Sequence, residues 1–152
     1  LPHHLIEAFK STLEEAKYAD IILHVVDASN PQMDVHMHVV YETLRELGVK
    51  DKKIITLFNK QDARTENGIL RDFKADRTLP ISARTGQGLD ELKELLGELL
   101  RENKVYVERI LSYANAGLVN LIRGKGELLS EAYEEDGIHV KAYVPMEIYH
   151  LL

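Results

Sequence analysis

The feature that most constrains this chain is a pair of short, β-branched runs, Ile21-Ile22-Leu23-His24-Val25-Val26-Asp27 and Lys53-Ile54-Ile55-Thr56-Leu57-Phe58, with a helical pattern between them. Nearly continuous apolar strands belong in sheets covered on both faces. A helix between two such strands is the crossover that parallel pairing requires. A third run, Thr78-Leu79-Pro80-Ile81-Ser82, is followed by Leu89, Leu92, Leu95, Leu96 and Leu99 at the spacing of an amphipathic helix. The expected fold class is therefore α/β, a parallel sheet with flanking helices.

The helix between the first two strands should open at Asn30-Pro31, with asparagine as cap and proline as first residue. Met33, Met37, Val40, Leu44 and Leu47 mark its buried face, and Gly48 stops it. Upstream, residues 2–19 read as a helix with Pro2 in its first turn and Leu5, Ile6, Phe9, Leu13 and Ala16 along one stripe. Residues 63–75 are polar and weakly patterned, and read as loop. After residue 103 the pattern changes. A strand at 105–110 and a short helix at 113–123, ended by Gly124, precede two strands, 128–133 and 138–144. These flank Asp136-Gly137, a strong hairpin signal. The expected domains are 1–103, carrying the parallel sheet, and 104–152, a small α+β unit.

Hydrophobic residues are 45% and charged residues 29% of the chain, the balance of a globular protein. No run approaches the roughly 18 apolar residues of a membrane span, and the first residues lack the basic and apolar regions of a signal peptide. Cysteine is absent, so disulfides and thiolate metal sites are excluded, which suits a cytoplasmic location. A net charge of −6 argues against nucleic-acid binding by bulk electrostatics, so any charge for RNA contact should come from another segment. The chain opens at Leu1 without methionine and runs straight into a helical pattern, as the interior of a longer protein would.

Asn59-Lys60-Gln61-Asp62 directly follows the second strand. Loops at the carboxyl ends of parallel strands face the crevice where ligands bind. Guanine presents two adjacent donors, its ring N–H and its amino group, and one carboxylate accepts both in a charge-assisted pair. Asp62 is the candidate. Adenine lacks that donor pair, so the carboxylate would be left desolvated and unpaired. Lys60 can lay its stem along a base while its ammonium stays wet, and Asn59 can tie the loop to a neighbouring one. Ser82-Ala83, at the end of the third strand, should offer backbone N–H groups to the guanine carbonyl oxygen. Taken singly, each element also reads as a polar turn shaped by Gly86 and Gly88. Both at strand ends and in this order are hard to obtain by chance.

Asn59-Lys60-Gln61-Asp62 followed by Ser82-Ala83-Arg84-Thr85-Gly86 resembles the two base-recognition motifs of translation-factor-class GTPases, with Arg84 where lysine is commoner. Leu1-Pro2-His3-His4-Leu5-Ile6-Glu7-Ala8-Phe9-Lys10, together with His24-Val25-Val26-Asp27-Ala28-Ser29, resembles the HflX family more specifically. Beyond residue 103 the resemblance rests mainly on Glu134-Glu135-Asp136-Gly137-Ile138-His139-Val140. It implies the second half of a P-loop GTPase domain plus a C-terminal domain. Asn59, Lys60, Asp62, Ser82, Ala83 and Arg84 would form the guanine site for GTP or GDP. The parent protein would hydrolyse GTP, bind the large ribosomal subunit and act in ribosome splitting or rescue. A non-catalytic ribosome- or protein-binding module with an idle nucleotide site is the alternative.

A P-loop has the form G-x-x-x-x-G-K-[ST]. Gly124-Lys125-Gly126 comes closest but has Val119 at the first glycine and Gly126 at the hydroxyl, and it follows a helix. Gly86-Gln87-Gly88 is no dinucleotide fingerprint, because Glu91 stands at the third glycine. The resemblance places the phosphate loop, the magnesium ligands and the switches upstream of Leu1. Without them the chain alone should hold no triphosphate and no Mg²⁺ and carry no catalytic residue.

Other candidates yield to simpler readings. His36 and His38 lie two apart on a helix and diverge, as do adjacent His3 and His4, so no metal site is expected. Asp27 ends a strand like a receiver-domain phosphoacceptor, but the acidic pair such a site needs is missing. Tyr106, Tyr113, Tyr133, Tyr143 and Tyr149 read as packing residues. A last expectation concerns assembly. The family's sheet pairs another strand against 21–27. In this chain Ile21, Ile22, Leu23, Val25 and Val26 should therefore form an open edge, prone to recruit a second copy.

Overall fold

The computed structural model describes residues 3–152, and side chains from Glu7 onward; Pro2 and the stripe residues Leu5 and Ile6 fall outside the described side chains. The chain divides into two compact units, 1–92 and 93–152.

The first unit holds the parallel sheet. Strands β1 (Ile21–Asp27), β2 (Lys53–Asn59) and β3 (Arg77–Pro80) lie in that order. β1 runs in register with β2 from Ile21 opposite Lys53 to Asp27 opposite Asn59. β2 is paired on both edges and covered on both faces: Ile55, Thr56, Leu57 and Phe58 are all buried. That is why its sequence is continuous rather than alternating. β1 has one hydrogen-bonded neighbour among the described residues and is covered on one face. His24 and Val26 are buried on one face, while Leu23 and Val25 are exposed on the other.

Helix α1 (His3–Leu13) ends sooner than the apolar stripe suggests, and a tight 3-10 turn over Glu14–Tyr18 leads into β1. Helix α2 (Met33–Glu46) begins later than expected. The Asn30 carboxamide oxygen accepts the Gln32 N–H at 2.8 Å, so Asn30-Pro31 forms a side-chain-closed turn before the helix instead of its cap and first residue. Met33 and Met37 pack on Val26, Ala28 and Phe58, and Leu44 is buried, but Val40 turns outward. The same small cluster takes in Leu70 from the 63–75 segment, which is anchored rather than loose. β3 stops at Pro80. Ile81 and Ser82 continue as a buried turn whose Ser82 N–H bonds the Gln87 carbonyl at 2.9 Å. Gly88 is required here. It sits at φ +79°, and a Cβ would lie 2.5 Å from the Pro80 carbonyl oxygen. Helix α3 (Leu89–Arg101) follows and continues across the division between the units.

The second unit is an antiparallel sheet in the order β4 (Lys104–Leu111), β6 (Gly137–Pro145), β5 (Glu127–Glu134). Helices α4 (Gly117–Lys125) and α5 (Met146–Tyr149) complete it. Val107, Leu111, Val119, Ile122, Ile138, Val140, Ala142, Val144 and Ile148 form its core, the alternate residues of β6 supplying four of them. The expected helix at 113–123 is a 3-10 turn, Tyr113–Asn115, followed by α4. α4 runs through Gly124 and stops at Gly126, where the Tyr143 carbonyl leaves no room for a side chain. The hairpin at Asp136-Gly137 forms as read, with Gly137 at φ +140°.

Candidate functional site

The carboxyl ends of β1, β2 and β3 carry the polar loops that the sequence singled out, because parallel strands place all their exits at one edge. Asn59 closes β2 opposite Asp27, and its carbonyl accepts the Ala28 N–H at 2.9 Å. Lys60 adopts a left-handed backbone, φ 66°, which turns the chain sharply into a 3-10 turn over Gln61–Ala63. Two bonds hold that turn against its neighbours. The Gln61 N–H donates to the Ile81 carbonyl at 3.2 Å, and the Gln61 amide donates to the Phe58 carbonyl at 3.1 Å.

Asp62 and Ser82 meet across this edge. The Ser82 hydroxyl, fully buried, donates to Asp62 Oδ1 at 2.8 Å and accepts the Thr85 N–H at 3.2 Å. Asp62 itself is exposed. One oxygen is thereby fixed from behind, and the carboxylate keeps lone pairs facing outward. Asn59 Oδ1 accepts the Ala83 N–H at 3.0 Å, which ties the loop after β2 to the loop after β3.

The backbone donors are distributed differently from the sequence expectation. The Ser82 and Ala83 N–H groups, read as facing a base, are both spent inside the protein, on the Gln87 carbonyl and on Asn59. Among the described residues the Arg84 N–H has no such partner, and the Arg84 side chain is exposed. The structure thus brings Asn59, Lys60, Asp62, Ser82 and Ala83 into one cluster, with Arg84 at its margin.

Sequence reasoning missed one member. The Lys60 ammonium is not free in water but bonds Asp27 Oδ2 at 2.8 Å. The Ser29 hydroxyl and N–H bond the other Asp27 oxygen at 2.6 and 3.0 Å. The Lys60 hydrogen bond, then that of Ser29, draws the Asp27 carboxyl down to about 2. The available signal was positional: Asp27 ends the strand next to β2, one register step from the loop that bears Lys60. Among the described residues no three His, Asp or Glu side chains converge as a metal site, and no helix is long and apolar enough to cross a membrane.

No protein-family model matches the chain. Curated relatives do. A GTPase HflX of Lacrimispora saccharolytica is 66% identical over 149 residues, covering 98% of this chain and 35% of that protein. The chain belongs to the HflX GTPase family. A GTPase HflX of Caldanaerobacter subterraneus subsp. tengcongensis is 41% identical over 97% of the chain and 34% of its own length, and that of Chlamydia pneumoniae is 38% identical over 97% and 32%. The chain spans about a third of the length of these HflX proteins and matches their C-terminal part. Among solved structures, a GTP-binding protein from the hyperthermophilic archaeon Sulfolobus solfataricus in complex with GDP is 28% identical, with a TM-score of 0.53 over 64% of this chain and 36% of that one. An SsGBP variant gives a TM-score of 0.56 at 29% identity over 65% of this chain and 39% of its own. The first unit is accordingly part of a P-loop GTPase-type α/β fold, and the chain an HflX segment.

Proposed function

We propose that this HflX segment reads the guanine base for a GTPase whose phosphate-binding half lies elsewhere in the parent protein. The observation that carries the reading is Asp62, held from behind by the buried Ser82 hydroxyl with its outward lone pairs open. That arrangement suits the paired donors of guanine, whose binding would then need no rearrangement of the carboxylate. Lys60, steadied by Asp27, would flank the base. Asn59 would hold the two loops together through Ala83, and Arg84 would offer its open N–H to the guanine carbonyl. Ser82 acts by fixing Asp62. The sequence holds no P-loop, so no catalytic step is assigned to this chain. The functional domains would run 1–103 and 104–152, the second following α3. The intact parent would hydrolyse GTP in the cytoplasm and bind the large ribosomal subunit in ribosome splitting or rescue, as the family resemblance implies.

The test is nucleotide competition with the intact parent. Asp62→Asn removes an acceptor and adds a donor. It should weaken GTP binding by about a hundredfold or more, from two charge-assisted hydrogen bonds, and admit xanthine nucleotides, whose C2 carbonyl oxygen, in place of guanine's amino group, accepts from the new amide. Unchanged GTP affinity would instead favour a binding module with an idle nucleotide site. The 152-residue chain, assayed alone, should release no phosphate from GTP; turnover by it would refute the division of labour.

A further inference from the structure

Residues 63–75 are held at both ends and open in between. The Ala63 N–H bonds the Lys60 carbonyl at 3.0 Å, and Leu70 packs on Val26, Ala28 and Phe58. Beyond it, buried Asp72 accepts hydrogen bonds from Thr56 Oγ1 at 2.6 Å and from the Tyr41 hydroxyl, which pins the turn at 71–74 to the sheet and to α2. From Thr65 to Ile69 the chain is exposed and belongs to no helix or strand. Asn67-Gly68 lies within that stretch. Gly68 stands at φ +125°, and a Cβ placed there would meet nothing within 4 Å. Among the described residues the Gly68 N–H and the Asn67 carboxamide have no hydrogen-bond partner, while the Gly68 carbonyl accepts Arg64 Nη1 at 2.7 Å.

The backbone nitrogen after an asparagine can attack the side-chain carbonyl carbon and close a succinimide ring, one reason asparagine is thermolabile. A side chain on the following residue hinders that closure, and so does a hydrogen bond that holds the nitrogen or the carboxamide. Glycine removes the first obstacle. The other asparagines meet one or more of them. Asn30 precedes Pro31, which has no N–H. The Asn59 carboxamide is held by the Ala83 N–H, and Asn103 precedes Lys104, the first residue of β4. After Asn115, the Ala116 N–H is taken by the Tyr113 carbonyl at 3.3 Å; Asn120 lies inside α4 and its carboxamide oxygen accepts Arg123 at 3.0 Å. Asp136-Gly137 could close the same ring, but Asp136 is bonded to His139 at 2.7 Å and Gly137 is buried against the Leu111 carbonyl.

We propose that Asn67 is a site of spontaneous covalent modification, converting through a succinimide to aspartyl and isoaspartyl forms. The Gly68 nitrogen bonds to Asn67 Cγ as the Cγ–Nδ2 bond breaks, and Nδ2 leaves as ammonia with the proton from the Gly68 nitrogen. Water then opens the ring. Its addition at Cγ leaves an ordinary aspartate; its addition at the main-chain carbonyl leaves the isoaspartyl linkage, with one extra methylene in the backbone. Either product puts a carboxylate where a neutral amide stood, next to Glu66 and beside a cleft of about 260 Å³ that Glu66 and Asp34 already line. Leu70 and Asp72 fix the chain that follows, so the change stays within the loop. The site is separate from the residues assigned to guanine and stands whether or not that assignment holds.

Incubation of the intact parent at neutral pH and physiological temperature, followed by tryptic mapping with mass spectrometry, tests the proposal. Cleavage after Arg64 and Arg71 releases the peptide 65–71. That peptide should give two products, each heavier by one mass unit, with the isoaspartyl form the more abundant. They should appear before any of the other five asparagines of this segment changes. Conversion should be as fast in the native protein as in urea, because the fold does not restrain Asn67-Gly68. The Asp136-Gly137 peptide should isomerise only in urea, read as a chromatographic shift without a change of mass. Asn67→Gln, whose closure needs a larger ring, should lose the mass change, and its exposed position leaves the fold intact. Conversion of 65–71 in urea but not in the native protein would overturn the proposal. So would an earlier change at Asn59 or Asn115 in the native protein.

Discussion

Replacing Asp72 by alanine should destabilise the first unit by about 4 kcal/mol, and the structure shows where that figure comes from. Three donors converge on this buried carboxylate: the Thr56 hydroxyl, the Tyr41 hydroxyl and the Lys74 N–H. Burial alone would raise the Asp72 carboxyl, yet the bonds from Thr56 and Tyr41 outweigh it and hold the group below its ordinary range. Thr56 is fully buried, so its loss is the largest, roughly 1.5–3 kcal/mol for a hydrogen bond to a charged acceptor. The partly exposed Tyr41 hydroxyl and Lys74 N–H can turn to water and should lose about 0.5–1 kcal/mol each. Urea denaturation followed by far-ultraviolet circular dichroism measures the total. The decisive comparison is the double variant with Thr56→Val. Once the Thr56 hydroxyl is gone, removing Asp72 leaves no orphaned donor there, and the two substitutions should couple by about 1–2 kcal/mol. A cost below about 1 kcal/mol for Asp72→Ala, or strict additivity with Thr56→Val, would refute the claim that this carboxylate anchors the turn to the sheet.

Two further outcomes follow from the same unit. His24 is buried edge-on to Tyr41 at 5.3 Å, its Nδ1 has no partner, and burial lowers its affinity for a proton although Asp72 pulls the other way. A depressed folded-state value gives stability that is complete above the unfolded value of 6.5 and declines as pH falls below it. His24→Phe should remove that decline while leaving the later one, below 3.8, where Asp72 protonates; an unchanged slope between those values in the variant would exclude His24 as its source. As for assembly, β1 has a single hydrogen-bonded neighbour and exposes Leu23 and Val25, so the 152-residue chain should associate through that edge. Light scattering during size-exclusion chromatography would show a monomer at all micromolar concentrations if the edge is protected by other means.

What was legible in the sequence and what was not divides along physical lines. β1, β2, the helix after each of the outer two strands and the Asp136-Gly137 hairpin could be read because hydrophobic periodicity and turn chemistry are local signals. Helix ends were less legible, since they depend on competition between neighbouring groups. Asn30 looked like a cap, but its side chain closes a turn one step earlier, and α4 passes through Gly124 because only Gly126 lies against another strand's carbonyl. At the candidate site the residue types were readable from strand-end position, whereas the Lys60–Asp27 pair required knowing which strands are adjacent.

The least legible feature was the buried polar row. His24, Thr56 and Thr78 occupy facing positions on β1, β2 and β3, and Tyr41 and Asp72 close over two of them. In the sequence each looks like an interruption of an apolar run or a residue of an unpatterned loop. The row persists because its groups largely satisfy one another, and His24 Nδ1 is the buried side-chain atom without a partner among the described residues. Periodicity cannot reveal such a network, since no single element contains it. Yet it is this network that fixes residues 71–74 against the sheet, so the segment that reads as loop is a loop held in place beneath Phe73. The polar segment after the strand-end motif is therefore part of the folded body, and its exposed residues are held by buried Thr56 and half-buried Tyr41 and Thr78, contributed from three different elements.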